Sequence, residues 1–255
     1  PIAVVAIPLI ALNAWIVARE YSQQRARAEQ RILAHAHTLA ALVDREFSRT
    51  EKVGEILARS ASLSRGDLGG FEAEMSVARD VLAADAEKSF DAVFVRLWSP
   101  DRRLLMTVPP ELPLGIVPHS THIADAFATG KFQISNLFFD RGTETWRLGI
   151  ALPAFRDSGA SATNVVTIGI PRERLRSILA LSDLPLGMLA SIQDRTGVTV
   201  ARSLHDAETV VKLPAPKVFA AIMKADSGLL PAGTMTLENT PSSIAFARAP
   251  FSGYI

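Results

Sequence analysis

Positions 1–18, PIAVVAIPLIALNAWIVA, carry no charged side chain, and the first charge is Arg19. Spanning a hydrocarbon core takes about 20 apolar residues, so this opening predicts a transmembrane helix over 1–18. Trp15 sits near one end of it, where interfacial aromatics collect. A secretory signal would be followed by small residues and a cleavage site; here Arg19-Glu20-Tyr21-Ser22 runs directly on. A chain that opens without Met is expected to continue upstream. Arg19, Arg25, Arg27 and Arg31 follow the apolar stretch against only Glu20 and Glu29. Charge alone would place that flank in the cytoplasm.

From there the pattern becomes helical. Ile32, Ala36, Leu39, Val43, Phe47, Thr50, Val53 and Leu57 recur at steps of three or four, one stripe of a helix. Arg45, Arg49, Lys52 and Arg59 fall mostly off it. We expect one long stalk helix over 19–63, closed by Gly69-Gly70, and another short helix over 71–88. The stripe can pack on its own domain or pair with a second copy in a parallel homodimer; the sequence leaves both open.

Then the period drops to two. Residues 91–98 predict a strand, 99–102 a turn and 103–107 the returning strand. A proline-rich loop (Pro109, Pro110, Pro113, Pro118) leads to a short helix near 123–127. Strands are expected over 132–138, 145–155 and 164–170, and a helix over 172–181. The order then restarts: a strand over 188–193, a turn at 194–197, a strand over 198–201, a helix over 217–224, and strands over 233–238 and 242–250. Asp101 and Asp194 lie 93 positions apart in like turns, and Pro153 and Pro250 lie 97 apart at the ends of like strands. Two such correspondences predict a repeated unit. The fold class is α+β: a long N-terminal helix followed by two tandem PAS-like modules, antiparallel sheets with flanking helices. The boundaries are 64–181 and 182–255.

Composition removes several function classes. The net charge of +1, without a basic run, gives no field that steers nucleic acid. There is no cysteine, so disulfides and thiol catalysis are excluded. No phosphate-binding glycine loop and no nucleophile elbow occurs, so no cofactor and no catalytic residue is expected. His119 and His122 form a close pair, but no third ligand accompanies them, and no metal site is expected.

Alternation in the strand over 91–98 sorts its side chains. Val93, Val95 and Leu97 take one face; Phe94, Arg96 and Trp98 take the other. On the strand after Thr145, Arg147, Gly149 and Ala151 share a face, while Trp146, Leu148, Ile150 and Leu152 belong to the core. A guanidinium between aromatics, facing small residues, can hold a carboxylate. Phe94, Arg96, Trp98, Arg147, Gly149 and Ala151 are therefore the candidate ligand-binding residues. Arg96 can equally be a structural partner of Asp140 or Glu144. The second module offers no comparable set, since its first strand, 188–193, carries only neutral side chains.

Four stretches carry a family resemblance: TGKFQISNLFFDRGTETWRLGIALPAFRD, VVTIGIPRERLRSIL, GMLASIQDRTGVTVARS and FARAPFSGYI. In that order and spacing the chain resembles the double Cache periplasmic domains of alphaproteobacterial sensor histidine kinases, over about Arg19 to Ile255. The resemblance implies a membrane-distal ligand-binding module, a membrane-proximal module, residues 19–255 in the periplasm of a bacterial inner-membrane protein, and a second span and kinase output beyond Ile255. It implies a small-molecule ligand and no catalysis by this segment; the Phe94–Arg96–Trp98 face makes that ligand anionic or zwitterionic. The same domain on a chemoreceptor or a diguanylate cyclase, or a ligand-free structural module, are the alternatives. The family's amino-acid sensors carry an RxWY motif after the second strand. The corresponding stretch, 109–124, has no Arg, Trp or Tyr.

Overall fold

The computed structural model describes residues 2–84, 93–110, 121–141, 144–156, 161–182, 184–185 and 187–255, with backbone alone for 2–11. Helix α1 (Ile2–Ala58) is continuous for 57 residues, about 85 Å at 1.5 Å per residue. Among residues whose side chains are described, no helix is long and apolar enough to cross a membrane. Most of the apolar opening lies outside them.

The lower half of α1 is a core element. Val43, Phe47, Thr50 and Leu57 are buried, and Leu39 and Val53 pack against the same core. Gly54 marks the closest approach: a Cβ there would stand 2.3 Å from a methyl of Leu152. A helix-interior glycine costs about 1 kcal/mol, offset here by that contact. The stripe expected to serve a dimer is thus taken up by the protein's own sheet from Val43 onward.

The helix ends earlier than its hydrophobic pattern suggests. Ser60 leaves helical geometry, and its hydroxyl accepts from the N–H groups of Ser62 and Leu63 to start α2 (Ala61–Arg65). Gly66, at φ +76°, closes α2 in the left-handed conformation that glycine adopts without steric cost. Asp67 then caps α3 (Leu68–Ala83) through Gly70 N–H. Gly69-Gly70 therefore opens a helix instead of ending one.

Strands β1 (Phe94–Trp98), β2 (Leu104–Val108), β3 (Gln133–Ile134), β4 (Phe138–Asp140), β5 (Thr145–Ala154) and β6 (Asn164–Pro171) form one antiparallel sheet, in the order β2-β1-β6-β5-β3 with β4 also on β5. The single strand expected over 132–138 is two. Its break at Ser135 carries side-chain bonds described below. Val95, Leu97, Leu148, Ile150, Leu152, Val166, Ile168 and Ile170 are buried in the main core with Phe47, Phe71 and Met75 from the helices. The opposite face meets α4 (Thr121–Thr129).

Helix α5 (Glu173–Leu181) leads to a smaller group: β7 (Ser191–Gln193), β8 (Thr199–Arg202), α6 (Asp206–Thr209), α7 (Pro216–Ile222), β9 (Ser227–Met235) and β10 (Pro241–Ala247). These strands form two separate antiparallel ladders, β7-β8 and β9-β10, and not one sheet like the first. Strand β9 begins six residues before its expected start, and the turn falls over 236–240. The last residues are not a regular strand, although Ile255 and Gln193 exchange backbone bonds of 2.9 and 2.7 Å. Asp44 of α1 anchors this end, accepting from the N–H groups of Phe251 and Ser252, both at 2.8 Å.

Candidate functional site

Register gathers the six candidate residues on one face. Phe94 pairs with Gly169 and Gly169 with Gly149; Arg96 pairs with Thr167 and Thr167 with Ala151. Directly opposed residues of antiparallel strands share a face. Arg147 continues this face beside Phe138. Val95 and Leu97 lie in the core on the other side, as alternation requires.

The centre is a charged stack. The Phe94 ring lies over Gly169, where a Cβ would come within 2.2 Å of the ring. No other residue fits at 169 without moving Phe94. The Arg96 guanidinium sits 3.7 Å from that ring's centroid and that of Arg147 4.7 Å from it. Arg96 Nη2 donates to Asp140 Oδ2 at 2.9 Å, and Arg147 Nε lies 3.8 Å from the same oxygen. Both guanidiniums are buried. Burial draws the Arg96 pKa down, and the Asp140 carboxylate acts against that shift. Asp140 is thus the structural partner that the sequence offered for Arg96. Arg96 Nε–H, also buried, has no acceptor among the described residues. Unmet buried donors are rare in folded proteins.

Trp98 does not flank Arg96 as a second aromatic wall. Its Nε1–H donates to Thr167 Oγ1 at 2.8 Å, and its ring packs with Leu104, Ile123, Ala126, Ala151 and Val165. The room expected above Gly149 and Ala151 is partly filled. A Cβ at Gly149 would meet His122 Nε2 at 3.6 Å and Phe138 at 3.7 Å, and Ala151 lies in the Trp98 cluster. His122 and Phe138 are tilted rings with centroids 5.7 Å apart. His122 is buried; burial first, then the nearby Arg195 charge, lowers its pKa from 6.5 to about 4. It is a neutral imidazole at pH 7. Its expected companion His119 lies outside the described residues, and no group of three metal-ligating side chains occurs among those described. Sequence reasoning missed His122, Phe138 and Thr167. Only the packing of α4 and β4 on β5 and the pairing of β6 with β1 and β5 assign them to this face.

The break at Ser135 joins the site to the smaller group. Ser135 Oγ accepts from Gly149 N–H at 2.8 Å, and Tyr254 Oη donates to Ser135 O at 2.9 Å. Leu137 N–H donates to Asp194 Oδ2 at 3.1 Å. Arg195 Nε donates to Asn136 Oδ1 at 3.1 Å, and its Nη2 reaches Ile134 O. Tyr254 in turn packs its ring on Phe47 of α1, centroids 4.9 Å apart.

No family model and no curated protein sequence matches the chain. Solved structures do. The extracellular domain of the histidine kinase rpHK1S-Z16 superposes with a TM-score of 0.67 at 14% identity, over 90% of this chain and 92% of that one. The ligand-binding domain of Pseudomonas fluorescens chemoreceptor CtaA, in complex with L-isoleucine, gives 0.61 at 13% identity, over 85% and 86%. That of the Pseudomonas aeruginosa chemoreceptor PctC, in complex with GABA, gives 0.60 at 17%, over 89% and 94%. The chain shares the fold of these domains. At these identities the likeness fixes the fold, including the long entry helix, and leaves function to be argued from side chains.

Proposed function

We propose that this chain is the extracytoplasmic, small-molecule-sensing input domain of a transmembrane receptor. Its ligand lies on the Phe94–Arg96–Arg147 face and is a small carboxylate, anionic or zwitterionic. The observation that carries this reading is Arg96: a buried guanidinium, stacked on an aromatic ring, with Nε–H unmet. A ligand oxygen would fill that donor, and a charge-assisted bond of this kind contributes about 1.5–3 kcal/mol. Phe138 and His122 supply the wall for the ligand body, and the residues at 149 and 151 are too small to block approach.

The fold supports the receptor reading, since the similar solved domains are extracellular parts of receptors; those of CtaA and PctC hold amino acids. Residues 64–181 act as the membrane-distal ligand-binding module and 182–255 as the membrane-proximal one. Residues 1–18 form the membrane helix. The receptor's output is a histidine kinase. A chemoreceptor output is the second reading, favoured by the chemoreceptor domains of the same fold. The segment itself performs no catalysis. A ligand that shifts Phe138 or His122 pulls on residues 134–137, which are bonded to Asp194, Arg195 and Tyr254. That chain of contacts ends on α1.

The test is a thermal-shift screen of amino acids and small carboxylates, followed by calorimetry on Arg96→Lys. Lysine keeps the charge near Asp140 and lacks the forked guanidinium. Binding should weaken by about 10- to 150-fold. A folded Arg96→Lys variant that binds its ligand as tightly as wild type rejects the assignment.

A further inference from the structure

The smaller group borders a half-open cavity of about 790 Å³ between α1, the β7-β8 ladder, α7 and the β9-β10 ladder. Small-molecule sites fall in the range of about 300–1,000 Å³. Most of its wall is apolar: Leu39 from α1, Met188 before β7, Val218 from α7, and Ile244 and Phe246 from β10. Its ionisable side chains include Arg202 of β8, Glu238 of the β9–β10 turn, His35 of α1 and His205. The sequence reading found no such set here, because Arg202 lies just past the four residues expected for the returning strand. The residues that complete the cavity come from elements up to about 200 positions apart.

Arg202 hydrogen-bonds Glu238 through one arm, and its other arm stands close to the same carboxylate without a hydrogen bond. Nη2 donates to Oε2 at 2.9 Å, and Nη1 stands 2.5 Å from Oε1. The Arg202 side chain is 6% exposed. Its Nε–H has no acceptor among the described residues. The cavity thus presents a buried donor whose charge is already balanced. The bond from Arg202 holds the Glu238 carboxyl at about 2, so Glu238 stays ionised at any physiological pH. An incoming carboxylate would be brought against it. At the first face, by contrast, Arg96 and Arg147 converge on a single carboxylate oxygen.

We propose that this cavity is a second binding site, for a neutral amphipathic molecule: an aliphatic body carrying an amide or ester carbonyl that accepts from Arg202 Nε–H. The site stands independently of the first face and takes a different class of ligand. Its floor is α1 itself, through Ile32, Ala36 and Leu39. An occupant therefore touches that helix directly.

The experiment uses octanamide and octanoate as a matched pair on the full chain labelled with ¹³C-methyl methionine. The chain has five methionines. Met188 lines the cavity, whereas Met75 belongs to the main core and Met106 packs against it. Octanamide should shift the Met188 resonance saturably and leave Met75 and Met106 in place, and octanoate should bind at least about tenfold more weakly. Arg202→Lys keeps an ion pair with Glu238 and removes Nε–H; it should weaken octanamide by about tenfold. An unmoved Met188 overturns the site. Octanoate binding as tightly as octanamide overturns the neutral-ligand assignment. A folded Arg202→Lys with wild-type affinity overturns the role of Arg202. Should that variant unfold, the Met188 titration on the native chain decides alone. Arg96→Lys, measured in parallel, should leave octanamide binding unchanged.

Discussion

Replacing Asp140 by Asn tests the electrostatic account of the first face. The carboxylate serves two buried guanidiniums through one oxygen, at 2.9 Å from Arg96 and 3.8 Å from Arg147. Two unit charges about 4 Å apart interact by about 4 kcal/mol at the effective dielectric of protein pairs. Removing one partner of a buried pair costs about 3–5 kcal/mol, because the other charge stays buried without compensation. Asn preserves shape and one acceptor oxygen, so little of the loss comes from packing. We expect Asp140→Asn to lose about 3–5 kcal/mol in urea unfolding followed by circular dichroism, and about 10 °C in Tm. Arg96→Met on the Asp140→Asn background should return part of that loss by removing one of the stranded cations. A loss below about 1 kcal/mol would refute the reasoning, since it would mean that solvent, not Asp140, neutralises the guanidiniums.

Three further outcomes follow from single contacts. His122 has a folded pKa of about 4 against 6.5 unfolded, so the unfolded chain binds the proton more tightly. Its contribution is fully present above pH 6.5 and is lost as pH falls toward 4; His122→Leu should remove about 2 kcal/mol of the wild-type slope between pH 7 and 5, and an unchanged slope contradicts the buried neutral imidazole. Gly169→Ala places a Cβ 2.2 Å from the Phe94 ring, so it should cost about 1–3 kcal/mol and weaken ligand binding with it; a neutral effect in both assays shows that the ring is not the platform. Tyr254→Phe removes the bond to Ser135 O and should cost about 1 kcal/mol, with faster amide exchange at Leu137; unchanged exchange there argues against the Ser135 segment as the link.

The fold was legible where periodicity is long or strict. The 32–57 stripe announces α1, and alternation over 93–98 places Phe94, Arg96 and Trp98 on one face without any coordinates. What failed was local backbone chemistry. Gly69-Gly70 reads as a stop, yet α1 stops at Ala58 and α2 at Gly66, which takes φ +76° while Asp67 caps the next helix. The strand over 132–138 breaks because Ser135 uses its side chain and carbonyl for Gly149 and Tyr254, a tertiary demand invisible in a seven-residue window. The site was half legible for the same reason. Residue types on one strand can be read, but His122, Phe138 and the Arg202–Glu238 pair become neighbours only through pairing between distant segments.

The same contacts bear on how the two groups of strands couple to α1. The α1 stripe is consumed twice: Val43, Phe47 and Leu57 pack under the large sheet, and Ala40 packs with Ala247 and Ala249 beside β10. A shift of either group relative to the other is therefore a shift along α1. Ile56, at 73% exposed, and Tyr21, at 70%, are apolar or aromatic positions left outward on α1. Asp44 strengthens the coupling, since one α1 carboxylate holds the N–H groups of Phe251 and Ser252 near the other end of the chain. Those bonds fix the 251–252 segment to one level of the helix. Two ligands of different charge, one against Arg96 and one against Arg202, would then act on the same rigid element from its two packed faces. Their effects are coupled by linkage: whatever factor one imposes on the other's affinity, the other must return. Measuring octanamide affinity with and without a saturating first-site ligand would give that factor, and a value of one would show that α1 transmits nothing between them.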